Sequence, residues 1–208
     1  MNTSACPPPE FLYVDDTLLV VNKPAGLLSV PGRGPDKQDC LASRVARHYA
    51  DALIVHRLDM ATSGLMLFAR NADMQRQLSR LFALRQITKN YVALVAGTLP
   101  ESGEITLPIA PDWPNRPLQK IDPLNGKPSL TKFTRLAMSP EGTRLLLEPV
   151  SGRTHQLRLH LSAIGHPIVG DMLYGGAPAE RLLLHATSLT FIHPTSQKSL
   201  VLQSAAPF

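Results

Sequence analysis

Short apolar segments separated by turn sequences fill the middle of the chain, and they limit the folds that it can adopt. Turn residues such as Pro100, Gly103, Pro140 and Gly142 separate these segments. Apolar runs of this length, bounded by glycine and proline, are typical of β-strands. The middle of the chain is therefore predicted to form a sheet, with strands over residues 91–97, 103–108, 130–136 and 143–150.

The regions on both sides of this middle part combine predicted strands with predicted helices. The clearest helix covers residues 72–84, where apolar residues recur at helical spacing and Asn71 or Asp73 is available as the N-cap. Another helix is predicted over residues 155–164, with Thr154 as its N-cap. The remaining predicted elements are strands over residues 11–14, 18–22, 53–56 and 65–69, a helix over residues 40–49, and one or two strands near the C-terminus.

The length and the order of the elements favour one α+β domain. With 208 residues the chain has enough length for a large core, and we find no internal repeat and no long linker. Residues 1–10 are polar and contain three consecutive prolines, which is typical of a flexible arm. We expect residues 11–208 to form a single domain.

The charge and the cysteine content restrict the class of protein. Lys and Arg outnumber Asp and Glu by 21 to 16, which gives a net charge of +5 and favours polyanionic partners such as RNA. Two cysteines, Cys6 and Cys40, exclude a disulfide framework and a four-thiolate zinc site. Because no secretory signal or membrane-spanning apolar run is present, we expect a cytoplasmic protein without a membrane role.

A dense polar segment, residues 56–64, lies between two apolar runs and contains His56, Arg57, Asp59 and Ser63. Two interpretations of this segment are open. In the structural one, Asp59 accepts hydrogen bonds within a turn and pairs with Arg57. In the functional one, Asp59 is a carboxylate nucleophile or base.

A second polar segment, residues 151–160, contains two arginines and two histidines at a predicted loop-to-helix junction. It is either a solvated basic helix end or a site in which Arg153 binds a phosphate and Arg158 pairs with a buried carboxylate. His155 and His160 are five residues apart, which does not match the spacing of a helical zinc pair. We therefore expect no metal.

Motifs of several common enzyme classes are missing from the sequence. It contains no Gly-x-Ser-x-Gly elbow, no Gly-x-x-x-x-Gly-Lys-Ser/Thr loop and no Gly-x-Gly-x-x-Gly loop. The sequence therefore lacks the usual motifs of a serine hydrolase with this elbow, of a P-loop nucleotide site and of a dinucleotide site. The chemistry is predicted to need no cofactor.

The segment His56-Arg-Leu-Asp-Met-Ala-Thr-Ser-Gly-Leu resembles the signature of the RluA family of RNA pseudouridine synthases. Further similar motifs follow the family's order along nearly the whole chain, which makes a chance match implausible. These motifs cover residues 21–32, 89–97, 112–117, 126–128, 152–160, 165–171 and 182–186.

The resemblance implies a fold, a reaction and a set of catalytic residues. The family fold is a mixed, mainly antiparallel sheet with flanking helices and loops around a central RNA-binding cleft. The reaction breaks the bond between C1′ and N1 of a uridine, turns the base in place and joins C1′ to C5. Asp59 matches the catalytic aspartate, Arg158 the arginine that pairs with it, and Tyr91 a tyrosine that stacks on uracil and helps to remove the C5 proton.

The resemblance also implies how RNA is bound. Arg57 matches a residue that enters the space left by the flipped base. We expect further RNA contacts from loop residues that carry rings or positive charges, because these suit splayed bases and phosphates. They are Lys23, Arg33, Trp113, Arg116 and Arg153. We expect no separate S4-like RNA-binding domain.

Met60 and the loop around Trp113 are most similar to the small dual-specificity subgroup of this family. That similarity implies two substrates, a hairpin of large-subunit ribosomal RNA and the anticodon arm of some transfer RNAs. We expect a monomer without an obligatory protein partner. The alternatives are a non-catalytic RNA-binding or RNA-folding module on the same scaffold and, less compatible with the histidine spacing, a metal-dependent hydrolase.

Overall fold

The computed structural model describes residues 8–208, so most of the predicted arm, residues 1–7, lies outside the described part. The first element is an antiparallel hairpin of β1 (Glu10–Val14) and β2 (Leu18–Lys23). Its turn is closed by Asp15, whose carboxylate accepts hydrogen bonds from the backbone N–H groups of Thr17 and Leu18. These contacts explain the acidic turn that the sequence places between the two predicted strands.

A ten-stranded sheet forms the centre of the described structure. Along its main path the strand order is β1-β2-β4-β11-β5-β10-β9-β6, with β3 beside β4 and β12 beside β11. All described pairs in this sheet are antiparallel except β4 with β11, which confirms the predicted α+β class with a mainly antiparallel sheet. The remaining bounds are β3 (Leu53–Ile54), β4 (Ser63–Ala69), β5 (Thr88–Val95), β6 (Ser102–Ile105), β9 (Thr131–Ser139), β10 (Gly142–Pro149), β11 (Leu184–Ile192) and β12 (Ser199–Gln203).

Three α-helices, α1 (Leu41–Ala46), α2 (Ala72–Ala83) and α3 (Gln156–Ala163), flank this sheet. Helix α2 matches its prediction, and Asn71 is the N-cap because its side chain accepts a hydrogen bond of 2.8 Å from Met74 N. Helix α1 is shorter than the predicted helix over residues 40–49.

The predicted N-cap of α3 is wrong. The structure places His155 at this position in the left-handed conformation, with φ 54° and no capping hydrogen bond from its side chain. Non-glycine residues adopt this backbone conformation infrequently. The N-cap prediction failed because the rule for Ser, Thr, Asn and Asp assumes a side-chain hydrogen bond that this junction does not use.

A small hairpin of β7 (Ile109–Pro111) and β8 (Gln119–Ile121) stands apart from the large sheet. It lies in a proline-rich region for which no strand was predicted. Between its strands, the loop of residues 112–118 carries Trp113 and Arg116.

Close backbone contact at the centre of the sheet fixes where the polar segment 56–64 lies. Gly64 has φ +111°, and a Cβ atom built on it would lie 2.3 Å from the carbonyl oxygen of Ala186 in β11. Only glycine allows this approach of β4 to β11. The loop before β4 consequently meets the junction before α3. In residues 8–208 the structure contains no helix that is both long and apolar enough to cross a membrane.

Candidate active site

The backbone around Asp59 is held from both sides by the loop that follows β2. Ser29 Oγ donates to the carbonyl oxygen of Leu58 at 2.6 Å and accepts a hydrogen bond from Leu58 N at 3.0 Å. Gly26 N donates to the carbonyl oxygen of Met60 at 2.9 Å. Both neighbours of Asp59 are therefore fixed, which limits the positions that its carboxylate can take.

Lys23 takes part in this support, and the structure contradicts its predicted contact with RNA. Its side chain is completely buried, and Nζ donates to the carbonyl oxygens of Pro24, Leu27 and Met60 at 2.9, 2.7 and 3.0 Å. Burial is the main cause that lowers the pKa of Lys23 to about 7. A phosphate has no access to this ammonium, so the residue acts as a support for the loop.

A cavity of about 520 Å³ opens beside Asp59. It brings together the three predicted catalytic residues Asp59, Tyr91 and Arg158, which come from the loop before β4, from β5 and from α3. Arg57 and Arg153 also line it. The Asp59 side chain is 22% exposed, so its carboxylate is accessible to a molecule that enters the cavity.

Arg158 binds two carboxylates, and its main partner is not the one that was predicted. Its Nε and Nη2 atoms donate to the two oxygens of the buried Asp171 at 2.8 and 2.7 Å. Its Nη1 lies 3.7 Å from Asp59 Oδ2. Burial opposes the charge, but the hydrogen bonds and charge of Asp171, with that of Asp59, raise the pKa of Arg158. Asp171 thus aims the guanidinium at Asp59.

A chain of polar groups reaches the other oxygen of Asp59. His155 Nε2 lies 3.9 Å from Asp59 Oδ1, and His155 Nδ1 lies 2.9 Å from the hydroxyl of Tyr174. That hydroxyl accepts a hydrogen bond of 2.9 Å from Gln119 N, so its own proton is left for His155 Nδ1. A neutral His155 then carries its proton on Nε2, facing Asp59. Burial is the main cause that lowers the pKa of His155.

Tyr91 and His56 are both uncharged at neutral pH. Burial, followed by the charge of Asp59, raises the pKa of Tyr91, so its phenol stays protonated. Burial, followed by the charge of Lys89, lowers the pKa of His56 to about 3. His56 Nε2 accepts a hydrogen bond from Leu67 N, which gives this histidine a structural role. Asp59 supplies the carboxylate of the cavity, since the other described residues that line it include no Asp or Glu.

Cationic side chains surround the mouth of the cavity. Arg57, Arg85 and Arg153 are exposed, and Lys89 is half-buried beside them. Burial, followed by the charge of Arg85, lowers the pKa of Lys89. In the part of the chain that the structure describes, none of the four forms an ion pair. The structural interpretation of residues 56–64 required Arg57 to pair with Asp59. Because this pair is not formed, Arg57 does not neutralise Asp59.

Three predicted RNA contacts lie outside the lining of this cavity. Arg33 is exposed in the loop after β2. Trp113 is 65% exposed, and the guanidinium of Arg116 lies 3.4 Å from the centre of its indole ring. This stacked pair presents a ring and a charge on the loop of residues 112–118.

Five residues of the site were given no role in it from the sequence. They are Arg85, Lys89, His155, Asp171 and Tyr174. Asp171 ends the motif of residues 165–171 and Tyr174 lies three residues beyond it, but only the fold reveals their contact with Arg158 and His155. For Lys89, its place in the motif of residues 89–97, two residues before Tyr91, was an available signal, since alternate residues of a strand share a face. Within residues 8–208 the structure has no group of three or more potential metal-ligating side chains.

Comparison with known proteins defines the class to which this chain belongs. The family model of the RNA pseudouridylate synthases matches residues 17–163, which is more than half of the chain. The chain belongs to this family, and its fold is that of a pseudouridine synthase.

Individual relatives are similar over almost their whole length. The chain is 46% identical over 203 residues to the dual-specificity RNA pseudouridine synthase RluA of Escherichia coli strain K12, covering 95% of this chain and 93% of the relative. It is 47% identical over 205 residues to the protein of the same name from Pasteurella multocida, with 96% and 94% covered.

A solved structure agrees with this assignment. Human RNA pseudouridylate synthase domain containing 1 superposes with a TM-score of 0.80 at 30% identity, covering all of this chain and 87% of the human chain.

Proposed function

We propose that this protein isomerises specific uridines to pseudouridine in structured RNA loops, with Asp59 as its catalytic carboxylate. The observation that carries the proposal is the placement of Asp59, Tyr91 and Arg158 in one cavity of about 520 Å³. A cavity of this size accommodates a nucleoside. The open carboxylate beside a paired guanidinium supplies the nucleophile.

The proposed chemistry is balanced without any other reactant. The bond between C1′ and N1 breaks with the departure of N1 and its electron pair, while Asp59 stabilises or attacks the sugar. The uracil turns in place, and C5 bonds to C1′; where Asp59 has attacked C1′, the bond between its carboxylate oxygen and C1′ breaks in this step and the carboxylate is regenerated. The proton on C5 is then removed and N1 gains a proton, so the product has the atoms of the substrate. The Arg158 guanidinium stands 3.7 Å from Asp59 Oδ2 as its counter-charge, and Tyr91 supports the face of the uracil ring.

RNA would reach Asp59 by flipping the target nucleotide into the cavity. Arg57 stands exposed at the mouth and has no ion-pair partner in residues 8–208, so its guanidinium is available to fill the space in the base stack. We assign the remaining RNA contacts to Arg33, Arg153 and the stacked pair Trp113 and Arg116.

The similar relatives are named dual-specificity enzymes. Together with the subgroup motifs of the sequence, this name supports two substrates for this chain, a ribosomal RNA hairpin and a transfer RNA anticodon arm. We further propose that a monomer performs the reaction in the cytoplasm, where both RNAs are available.

The test is the release of tritium from RNA that carries C5-labelled uridine, measured on both RNAs in the presence of EDTA. The protein is expected to release tritium, and Asp59→Asn is expected to bind the same RNA without release. If both proteins bind tightly and neither releases tritium from any uridine of a total RNA preparation, the non-catalytic RNA-binding module replaces the enzyme. If EDTA abolishes the release of tritium, a metal-dependent reaction replaces the proposed metal-free one.

A further inference from the structure

Lys89 is an unusual lysine because it is half-buried and faces other cations. In the described residues no carboxylate or other acceptor contacts its ammonium, and the charge that acts on it most is that of Arg85. A side chain built on Gly152 would lie 3.7 Å from Lys89 Nζ, so the ammonium reaches the loop that carries Arg153. Such an arrangement is unfavourable unless an anion joins it.

The position of Lys89 along β5 relates it to the proposed nucleoside site. Lys89 and Tyr91 are two residues apart in one strand and both line the cavity, so their side chains leave the same face about 7 Å apart. This separation is comparable to the reach from a nucleobase to the phosphate of its own nucleotide. A uracil on Tyr91 would thus bring a backbone phosphate near Lys89.

Arg85 and Arg153 are the neighbouring cations of Lys89 in the cavity lining: the charge of Arg85 acts on Lys89, and Arg153 follows Gly152, where a built Cβ lies 3.7 Å from Lys89 Nζ. Arg85 follows α2, has φ 58° and lines both this cavity and a neighbouring groove of about 480 Å³. Arg153 is exposed on the loop before α3. The three cations therefore come from three separate segments of the chain.

We propose that Lys89, Arg85 and Arg153 form a binding subsite for an RNA backbone phosphate adjacent to the target uridine. The proposal rests on the proposed function, because it takes Tyr91 as the platform for the flipped base. A phosphate there would offset the repulsion between Lys89 and Arg85 and would lie beside the loop that carries Arg153. It would also fix the sugar between Asp59 and the backbone, so that the C1′ atom faces the carboxylate.

The test is a thermodynamic cycle between a protein charge and an RNA charge. Binding of a target hairpin is measured for Asp59→Asn and for the same protein with Lys89→Gln. The hairpin is either unmodified or carries one uncharged methylphosphonate, placed 5′ or 3′ of the target uridine. Lys132→Gln is the matched control, because Lys132 pairs with Glu104 at 3.7 Å and does not line the cavity.

On unmodified RNA, Lys89→Gln is expected to weaken binding about tenfold, the usual scale for losing a charged hydrogen bond. The slope of log affinity against log salt should fall by about 0.7 to 0.9, since one phosphate contact is lost. With the methylphosphonate at the contacted position, the same substitution should change affinity less than about twofold, because the charge pair is already absent. The two RNA positions show which phosphate is bound.

If Lys89→Gln weakens binding by the same factor on the unmodified hairpin and on both methylphosphonate hairpins, the phosphate subsite is refuted. If the lysine variant fails to fold, Arg153→Gln provides a second cycle, because Arg153 is exposed. The subsite would also be refuted if the effects of Arg153→Gln and of the methylphosphonate on affinity were additive. Tritium release by the unmodified protein separates the two proposals. Normal release with additive cycles removes only the subsite, whereas no release from any RNA removes the proposed function itself.

Discussion

Replacing Asp171 by asparagine removes the charge that compensates the buried guanidinium of Arg158. The two carboxylate oxygens of Asp171 accept hydrogen bonds from Arg158 at 2.8 and 2.7 Å and from the backbone N–H groups of Leu173 and Tyr174 at 3.1 and 3.3 Å. Asparagine retains one oxygen, and its amide group faces the N–H groups of Arg158 as a second donor. Asp171→Asn therefore leaves a buried positive charge without its partner.

Breaking one side of a buried ion pair costs about 3 to 5 kcal/mol. For a chain of this size each kcal/mol lowers Tm by about 2 to 4 °C, so we expect a decrease of about 10 °C. Thermal unfolding followed by circular dichroism measures it. Below the new Tm, tritium release should also be at least about tenfold slower, because the guanidinium is free to move onto Asp59 at 3.7 Å and block it.

The control for this prediction is Asp73→Asn, since Asp73 is an exposed acid that pairs with Arg76 at 3.1 Å. Exposed pairs contribute little, so its unfolding free energy should change by less than about 0.5 kcal/mol. If Asp171→Asn melts within the error of the control and releases tritium at the normal rate, our account of how Arg158 is aimed is wrong.

Three further predictions concern other parts of the structure. Tyr174→Phe keeps the ring but removes the hydroxyl that orients His155, so kcat for tritium release should fall about tenfold with unchanged RNA affinity. Burial lowers the pKa of His185 to about 4, so it stays neutral when folded while the unfolded chain takes up its proton below about pH 6.5. The unfolding free energy in urea should therefore decrease as the pH falls from about 6.5 to 4, by about 1.4 kcal/mol per pH unit for this group, and His185→Gln should reduce that slope. Gly64→Ala should destabilise the protein by at least about 3 kcal/mol, measured by urea unfolding, because the new Cβ meets the backbone of β11 at 2.3 Å.

Each of these three has a result that contradicts it. An unchanged kcat with weaker RNA affinity would show that Tyr174 serves binding and not the orientation of His155. An equal pH slope in His185→Gln and the unmodified protein would mean that the buried imidazole is not linked to stability. Normal stability of Gly64→Ala would show that β4 and β11 separate readily at this point.

Local patterns predicted the fold where one physical cause dominates. Apolar periodicity located α2, and the Asn71 side chain set its start. The same reasoning missed β7 and β8, because their short strands lie in a proline-rich region where turn signals dominate. It also failed at His155, which takes the N-cap position with a positive φ and makes no side-chain capping hydrogen bond.

The site was predictable only in part, because its residues meet through the tertiary fold. The polar segments containing Asp59 and Arg158 stood out in the sequence, and the resemblance supplied their roles. Asp171 could not be found this way, since its importance comes from its burial against Arg158. Lys23 was misread because a lysine in a loop motif has the same local signature whether Nζ faces solvent or three carbonyl oxygens.

The identity of the nucleoside product tests the central claim most directly. A target hairpin is incubated with the protein or with Asp59→Asn, then digested to nucleosides and separated by liquid chromatography with mass detection. We predict a product with the mass of uridine and the retention of pseudouridine for the unmodified protein, and uridine alone for Asp59→Asn. Pseudouridine formed equally by both proteins would contradict the role of Asp59 as the catalytic carboxylate.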